Sequence, residues 1–403
     1  MQQIYTLGIY FFSFLIKVCS FFNSKAKNIV NGHLSAWDML ENIKDDSFVW
    51  FHVASLGEFE QGRPLIESLK VKYPNQKILV TFFSPSGYQV KKDYVYADLV
   101  LYLPFDTPKN ARRLLSKVTV KVAVFIKYEF WFNYLNELQN NEIPIIYVSS
   151  LFRKGQFYFK SNWMVGVFKK INHFFVQNEE SRLILSANGI NNATVSGDTR
   201  LDSVILTAGE NWMEKKIENS LDGRPVVLFG STWSGDHIHI VSFIKKHCSK
   251  YQYIIAPHEI SPKEIAELEK NIKNNVSLYS ISEEFTDVMI IDSIGILKYL
   301  YRYADVAYIG GGFNKGIHNT LEPLSYGIPV LFGPKNHIKF AEAQKILELN
   351  LGAVVNSGNF NQKLELYLDS SKLRDSVKQK VEKYIENNKG ATSKVVDMLT
   401  SIL

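Results

Sequence analysis

The sequence predicts an α/β protein of two parallel, doubly wound sheets preceded by an apolar helix. Three observations predict it. Short apolar runs bounded by glycine or proline alternate with helical stretches, the pattern of strands joined by crossover helices. The alternation restarts at Arg224. A chain of 403 residues also exceeds one ordinary core, at about 100 to 200 residues per domain.

Residues Ile4 to Phe22 are almost all apolar or aromatic, enough for a helix roughly 28 Å long. Thr6, Tyr10, Ser13, Lys17, Ser20 and Ser24 recur every three or four positions and form one polar stripe. A helix resting in the membrane interface and one crossing the bilayer both fit. No basic residue precedes the run and no small-residue cleavage site follows it, against a signal peptide. Lys25 and Lys27 just after it favour a cytoplasmic body. Residues 1–24 are therefore expected to anchor the chain.

Strands are expected at Phe48–Val53, Lys77–Phe83, Val120–Ile126 and Ile145–Val148, with a helix over Lys109–Lys117 capped by Asp106. Pro64 marks a helix that begins or bends there. The second set comprises Arg224–Gly230, Tyr253–Ala256, Val288–Ile291, Asp305–Ile309 and Val330–Phe332. With the boundary near Leu206 to Gly223, the expected domains are 25–206 and 207–403, and a ligand cleft is expected where the carboxyl ends of both sheets meet. The amphipathic tail from Leu373 either completes the second domain or crosses back to the first.

Composition is that of a globular protein, 46% hydrophobic and 21% charged. A net charge of +6 is too modest to indicate nucleic acid, but a concentrated share of it suits a membrane or an anionic substrate. Cys19 and Cys248 provide neither a disulfide framework nor thiolate zinc spacing, which fits a reducing compartment.

Two segments carry chemistry. Gly310-Gly311-Gly312 follows a buried strand, and His318, Asn319 and Glu322 stand close behind it. Amides at such a helix start can face a phosphate, and Glu322 is a ribose-sized acceptor; the alternative is a simple turn. In Ala54-Ser55-Leu56-Gly57-Glu58-Phe59-Glu60 a strand ends in a turn bearing carboxylates, with Glu58 ahead of Glu60 as a general base. Glu58 equally suits the positive end of the following helix. Residues 151–178 hold Arg153, Lys154, Lys160, Lys169 and Lys170 with no acidic residue, interleaved with Phe152, Phe157, Tyr158, Phe159, Trp163 and Phe168. That mixture reads either as a face for a phosphorylated, acylated acceptor or as a solvated surface over core aromatics. Arg153 is the foremost candidate for a phosphate contact.

With His52-Val53-Ala54-Ser55-Leu56-Gly57-Glu58, Glu129-Phe130-Trp131, Gly197 through Asp202, Phe229-Gly230-Ser231-Thr232, Ala256-Pro257-His258, Gly311 through Pro323, and Phe332-Gly333-Pro334 in this order, the chain resembles the Kdo transferases. That family moves 3-deoxy-D-manno-octulosonic acid (Kdo) from CMP-Kdo to a lipid A precursor. The resemblance implies GT-B architecture with two facing Rossmann-like domains and an inverting reaction without metal or cofactor. It places the catalytic base on Glu58 and a second important acid on Glu129. It assigns donor binding to Ser231, Thr232, His258, Gly311, Gly312, His318, Asn319 and Glu322. Lys127, Phe132 and an Ala-Pro-His segment without an intervening arginine depart from many relatives.

The expected protein is thus a bacterial glycosyltransferase at the cytoplasmic face of the inner membrane. Its partners would be CMP-Kdo, a phosphorylated, acylated glucosamine disaccharide bound with help from Arg153 and Lys154, and an anionic membrane surface. No nucleic acid is expected. A GT-B transferase using a UDP-sugar and a lipid-linked acceptor, or a non-catalytic membrane-anchored binding module, are the alternatives.

Overall fold

A computed structural model describes residues 1–41, 43, 46–273 and 275–403. The chain divides into two compact units, Met1–Ser203 with Asn388–Leu403, and Val204–Asn387. Each holds a seven-stranded, wholly parallel sheet.

The first sheet contains β1 (Ser47–Val53), β2 (Lys77–Phe82), β3 (Leu99–Tyr102), β4 (Thr119–Ile126), β5 (Ile145–Ser150), β6 (His173–Val176) and β7 (Ala193–Val195), in the order β3-β2-β1-β4-β5-β6-β7. Near-continuous Val, Ile, Leu and Phe along β1 and β4 bury both faces of the sheet, as parallel sheets require. One core includes Trp50, Phe125, Tyr134, Tyr147 and Phe168, and the other Phe51, Phe59, Leu65, Val124 and Leu399. The order reverses between β1 and β4. Loops leaving the carboxyl ends of those two strands therefore diverge and open a crevice, the usual ligand position in such sheets.

The second sheet contains β8 (Val226–Thr232), β9 (Gln252–Pro257), β10 (Val276–Leu278), β11 (Val288–Ile290), β12 (Val306–Ile309), β13 (Val330–Phe332) and β14 (Gly352–Val354), in the order β10-β11-β9-β8-β12-β13-β14. Its reversal lies between β8 and β12, so the turn after Thr232 and the glycine run after Ile309 flank one crevice.

Two expectations change. The last helix, Ala391–Ile402, belongs to the first unit, where Val395, Val396 and Leu399 join the core. Asp202 ties it down by accepting the Gly390 and Thr392 amides at 2.8 and 2.6 Å. The expected domain 207–403 thus gives up its final stretch. The cap of helix Pro108–Lys117 is Thr107, whose hydroxyl accepts the Asn110 amide at 3.2 Å, not Asp106. Asp106 is buried and accepts from Tyr5 Oη and the Asn133 and Tyr134 amides; burial raises its pKa to about 6. Pro64 lies inside the single helix Leu56–Lys72.

The N-terminal helix, Gln2–Cys19, turns its apolar side outward. Thr6 donates to Asn133 Oδ1 at 3.0 Å and Ser13 is buried, while Leu7, Phe11 and Phe14 are 69%, 62% and 60% exposed. Part of the polar stripe therefore faces protein, and the apolar positions form an exposed patch of the kind that marks an interaction surface. Among the described residues no single helix is long and apolar enough to cross a membrane. Only the pair Gln2–Cys19 and Ser24–Glu41 together approaches that length, across a bend of 119°.

Candidate active site and nucleotide loop

In the first unit, the turn after β1 carries Glu58 and the turn after β4 carries Glu129, so both carboxylates stand at the point where strand order reverses. Ser55 precedes helix Leu56–Lys72, and Glu58 is the third helical residue. Glu58 Oε2 accepts the Ser55 amide at 2.9 Å and its hydroxyl at 3.2 Å, forming a capping box. The helix-complementing role is therefore real. It uses one oxygen: among the described residues Oε1 has no hydrogen-bond partner.

Glu129 is held from behind by a chain of side chains crossing the sheet. His52 and Thr81 are register partners on β1 and β2, and Trp50 shares the face of His52. Trp50 Nε1 donates to Thr81 Oγ1 at 2.8 Å, His52 Nδ1 lies 2.8 Å from the same oxygen, and Trp131 Nε1 donates to His52 Nε2 at 2.8 Å and Glu129 Oε2 at 3.1 Å. Complete burial lowers the His52 pKa to about 3, so the ring is neutral. Because Nε2 accepts, the proton resides on Nδ1 and points at Thr81. The 3.9 Å approach of His52 to Glu129 is consequently no salt bridge at neutral pH. What the chain does is fix the indole, which in turn orients the Glu129 carboxylate.

Burial, and next the charge of Glu58, raise the Glu129 pKa to about 8, against a smaller opposing effect of the Trp131 hydrogen bond. At neutral pH Glu129 is mostly protonated. Around the pair, burial and Glu58 raise the pKa of Tyr128, while Arg153 and Arg200 pull it down, so both guanidinium charges bear on this face. Asp198 orients Arg200 through its Nε at 2.8 Å and accepts Gln61 Nε2 at 2.9 Å. Burial opposes its ionisation, but Arg200 outweighs this and keeps its pKa below the usual value. Lys127, at the end of β4, and Ser149, on β5, adopt left-handed backbone with φ of 64° and 55°. Such conformations cost about 1–2 kcal/mol each and gather where a site needs them.

Most aromatics of residues 151–178 are structural. Phe152, Tyr158 and Phe168 are buried, and Phe130 packs on Phe168 at 4.4 Å. Only Phe157 of the six is exposed, so the expected aromatic face for acyl chains is not formed there. Arg153 remains exposed beside the carboxylates, and Lys154 is exposed on the same turn.

In the second unit the glycines serve close packing. A methyl on Gly310 would lie 2.5 Å from the Ser231 carbonyl oxygen, and one on Gly312 2.5 Å from Gly333 Cα. Ser231 itself is left-handed, with φ of 53°. Part of the expected cradle of amides is spent within the loop, whereas the Gly312, Phe313, His318 and Asn319 N–H groups have no hydrogen-bond partner among the described residues. Gly310 N–H goes to Gly230 O, Gly311 N–H to Asp236, and Lys315 and Gly316 N–H to Gly311 O. His318 and Asn319 precede the short helix Leu321–Ser325. Asn319 spans its start, accepting the Leu321 amide at 3.1 Å and donating to Glu322 Oε1 at 3.0 Å.

Side chains line the mouth of this loop. Trp233 stacks on His258 at 4.5 Å, His258 on His318 at 4.5 Å, and Trp233 Nε1 donates to His318 Nε2 at 2.7 Å. Lys315 Nζ stands 5.2 Å above the Trp233 ring, and Thr232 Oγ1 meets His237 Nε2 at 3.0 Å. Burial, then His258, lowers the His318 pKa, leaving a neutral ring whose Nδ1–H is available to an anion. Thus Ser231, Thr232, His258, Gly311, Gly312 and His318 come together, and Asn319 pairs with Glu322. Trp233, Asp236, His237 and Lys315 were missed, as were Thr81, Arg200 and the orienting role of His52. A strand-end Trp followed three residues later by Asp was the available signal, since that spacing places a carboxylate over the helix start.

Asp236 is wholly buried and accepts from Trp233 N–H at 2.8 Å, Gly311 N–H at 2.7 Å and Tyr308 Oη–H at 2.7 Å. Asp236→Ala leaves three buried donors unpaired and should destabilise this unit by on the order of 3 kcal/mol. Thermal unfolding checks this, and Asp236→Asn, which keeps an acceptor, should cost clearly less. Among the described residues no group of three or more His, Cys, Asp or Glu is placed to hold a metal ion.

Residues 28–203 match the model of the family described as 3-deoxy-D-manno-octulosonic-acid transferase (kdotransferase). A bifunctional glycosyltransferase/methyltransferase of Fusobacterium nucleatum is 28% identical over 92% of this chain, which spans 59% of that relative's length. A 3-deoxy-D-manno-octulosonic acid transferase of Aquifex aeolicus is 30% identical, with 77% of this chain and 82% of that protein covered. Among solved structures, UDP-GlcNAc 2-epimerase of Neisseria meningitidis is similar with a TM-score of 0.62 over 88% of this chain and 100% of that one; at 16% identity this speaks for the GT-B-like fold alone. Sequence likeness along most of the chain, joined to two parallel sheets with polar clusters at both reversal points, makes the protein a glycosyltransferase belonging to the 3-deoxy-D-manno-octulosonic acid transferase family.

Proposed function

We propose that the protein transfers Kdo from CMP-Kdo to a hydroxyl of a phosphorylated, acylated glucosamine disaccharide of the lipid A precursor type, with inversion and without metal. The observation that carries the mechanism is the carboxylate pair at the first reversal point, in which Glu129 is protonated near neutral pH beside Glu58. Environments that separate two carboxyls divide their roles. Glu58 Oε1 takes the acceptor hydroxyl proton, that oxygen bonds to the anomeric carbon of Kdo, and the bond from that carbon to the CMP phosphate oxygen breaks. A protonated Glu129 adds no negative charge where anionic substrates approach. Ser231, Thr232, Gly311 and Gly312 shape the donor loop, Lys315 offsets the charge of departing CMP, and the neutral His318, stacked on His258, donates its Nδ1–H to the phosphate. Asn319 and Glu322 address the ribose.

Arg153 and Lys154, with Arg200, supply cations for acceptor phosphates. The outward apolar side of helix Gln2–Cys19, followed by Lys25 and Lys27, supports attachment to an anionic membrane surface, and the proposed location is the cytoplasmic face of the bacterial inner membrane. Incubating the purified chain with CMP-Kdo and a tetra-acylated, bis-phosphorylated disaccharide, followed by mass spectrometry of the lipid, tests the proposal. A gain of one Kdo residue or a whole multiple is expected. No gain with CMP-Kdo, together with a hexose gained from a UDP-hexose, would overturn it.

A further inference from the structure

Helices Gln2–Cys19 and Ser24–Glu41, the loop after β3 and the first turn of helix Pro108–Lys117 enclose a cavity of about 260 Å³. His33 lines it and is 6% exposed, yet neither ring nitrogen has a hydrogen-bond partner among the described residues. Its ring neighbours are Phe105 at 4.2 Å and Tyr102 and Phe83 at 6.1 Å, and none of them makes a hydrogen bond to it. An orphaned buried imidazole costs about 1–3 kcal/mol and calls for a ligand.

The rest of the lining states the ligand's charge. Lys17 and Lys109 are exposed at the cavity and form no ion pair among the described residues, Ser13 and Asn110 add polar groups, and no acidic side chain lines the space. The ten-residue helix Pro108–Lys117 begins here with no acidic residue in its first turn, and the preceding Asp106 is turned to Tyr5, Asn133 and Tyr134. The source of the anion follows from the surroundings. Leu34 is 61% exposed at the rim, and the wall formed by helix Gln2–Cys19 is the one that turns Phe11 and Phe14 outward, so an anion seated here would have apolar chains beside it. The volume lies below the roughly 300–1,000 Å³ of drug-sized ligand sites, which suits a head group better than a phosphorylated disaccharide.

We propose that this cavity binds the head group of an anionic phospholipid, with Lys17 and Lys109 pairing with its phosphate, one His33 nitrogen donating to it and the other accepting a head-group hydroxyl. The inference rests on the membrane-facing reading of helix Gln2–Cys19.

Calorimetric titration of the full chain with dihexanoylphosphatidylglycerol, dihexanoylphosphatidylcholine and inorganic phosphate tests it. Phosphatidylglycerol should bind at least about tenfold tighter than either competitor, and His33→Phe and the double variant Lys17→Gln/Lys109→Gln should each weaken it about tenfold. The double variant Lys380→Gln/Lys383→Gln, equal in charge but exposed on helix Ser371–Asn388 of the other unit, should leave it unchanged. The lysine pair at the cavity is exposed, so that variant is informative even where His33→Phe fails to fold. Equal binding by wild type and both cavity variants overturns the site, and inorganic phosphate binding as tightly as the lipid overturns the lipid assignment. Flotation with phosphatidylcholine/phosphatidylglycerol vesicles separates the two readings. Wild type that floats without the calorimetric difference refutes the cavity alone, and wild type that never floats refutes membrane attachment itself.

Discussion

Glu58→Gln should lower the rate of Kdo transfer by about 10²- to 10⁴-fold, the usual contribution of a positioned general base. The glutamine amide is not basic, so the acceptor hydroxyl keeps its proton. Glutamine nevertheless serves as well as glutamate at the third position of a capping box, and its oxygen can still accept the Ser55 amide that Glu58 accepts at 2.9 Å. The start of helix Leu56–Lys72 is thus preserved, and the melting temperature and CMP affinity should stay near wild type. Glu58→Ala removes both functions and should in addition lose about 0.5–1.5 kcal/mol of stability. Initial rates with CMP-Kdo, measured beside thermal unfolding of both variants, separate the two roles. Undiminished turnover in the glutamine variant would refute the base assignment.

Glu129→Gln addresses the other half of the pair and should change the pH profile more than the rate at pH 7. Burial and the neighbouring Glu58 hold the Glu129 pKa at about 8, so wild-type activity should decline as pH rises through that value, when a second negative charge appears beside Glu58. Glutamine imitates the protonated acid; the alkaline decline near 8 should vanish, with the rate at pH 7 within about tenfold of wild type. Stability moves with it. Because the folded pKa exceeds the ordinary glutamate value of 4.5, the native state binds this proton more tightly than the unfolded chain. The associated stability is complete below about pH 4.5 and is lost as pH rises toward 8. The unfolding free energy of Glu129→Gln relative to wild type should therefore increase across that window, by on the order of a few kcal/mol. Comparing the two proteins cancels groups common to both, such as Asp106. A retained alkaline limb in the variant, or a difference in stability that does not depend on pH, would remove Glu129 from its assigned role.

Several strands were plain in the apolar runs, including Ser47–Val53, Thr119–Ile126 and Val226–Thr232. Leu99–Tyr102, His173–Val176, Ala193–Val195, Val276–Leu278 and Gly352–Val354 went unread. Four of these five are edge strands of three or four residues, too short to carry a pattern and held by the neighbour they pair with. The glycine run after Ile309 was visible as a special turn, but its letters do not say whether a missing Cβ makes room for a ligand or for another stretch of backbone. Here Gly310 and Gly312 make room for Ser231 and Gly333. The spacing from Trp233 to Asp236 tells only of a helix cap, and it is burial beneath Tyr308 and Gly311 that makes Asp236 the fastening of the loop.

Read alone, the amino-acid order determined the α/β class, the restart that announces a second sheet, the apolar N-terminal helix, and the carboxylate and glycine motifs that carry the family likeness. These are properties of neighbouring residues, set by period, turn chemistry and spacing. The tertiary structure decided that Glu58 and Glu129 share one electrostatic environment, that a buried neutral His52 fixes Trp131, that the last helix joins the first unit, and that helix Gln2–Cys19 shows its apolar side to the outside. Each of those depends on desolvation and charge between residues far apart along the chain, and both come into being only when packing brings the residues together and removes water from around them.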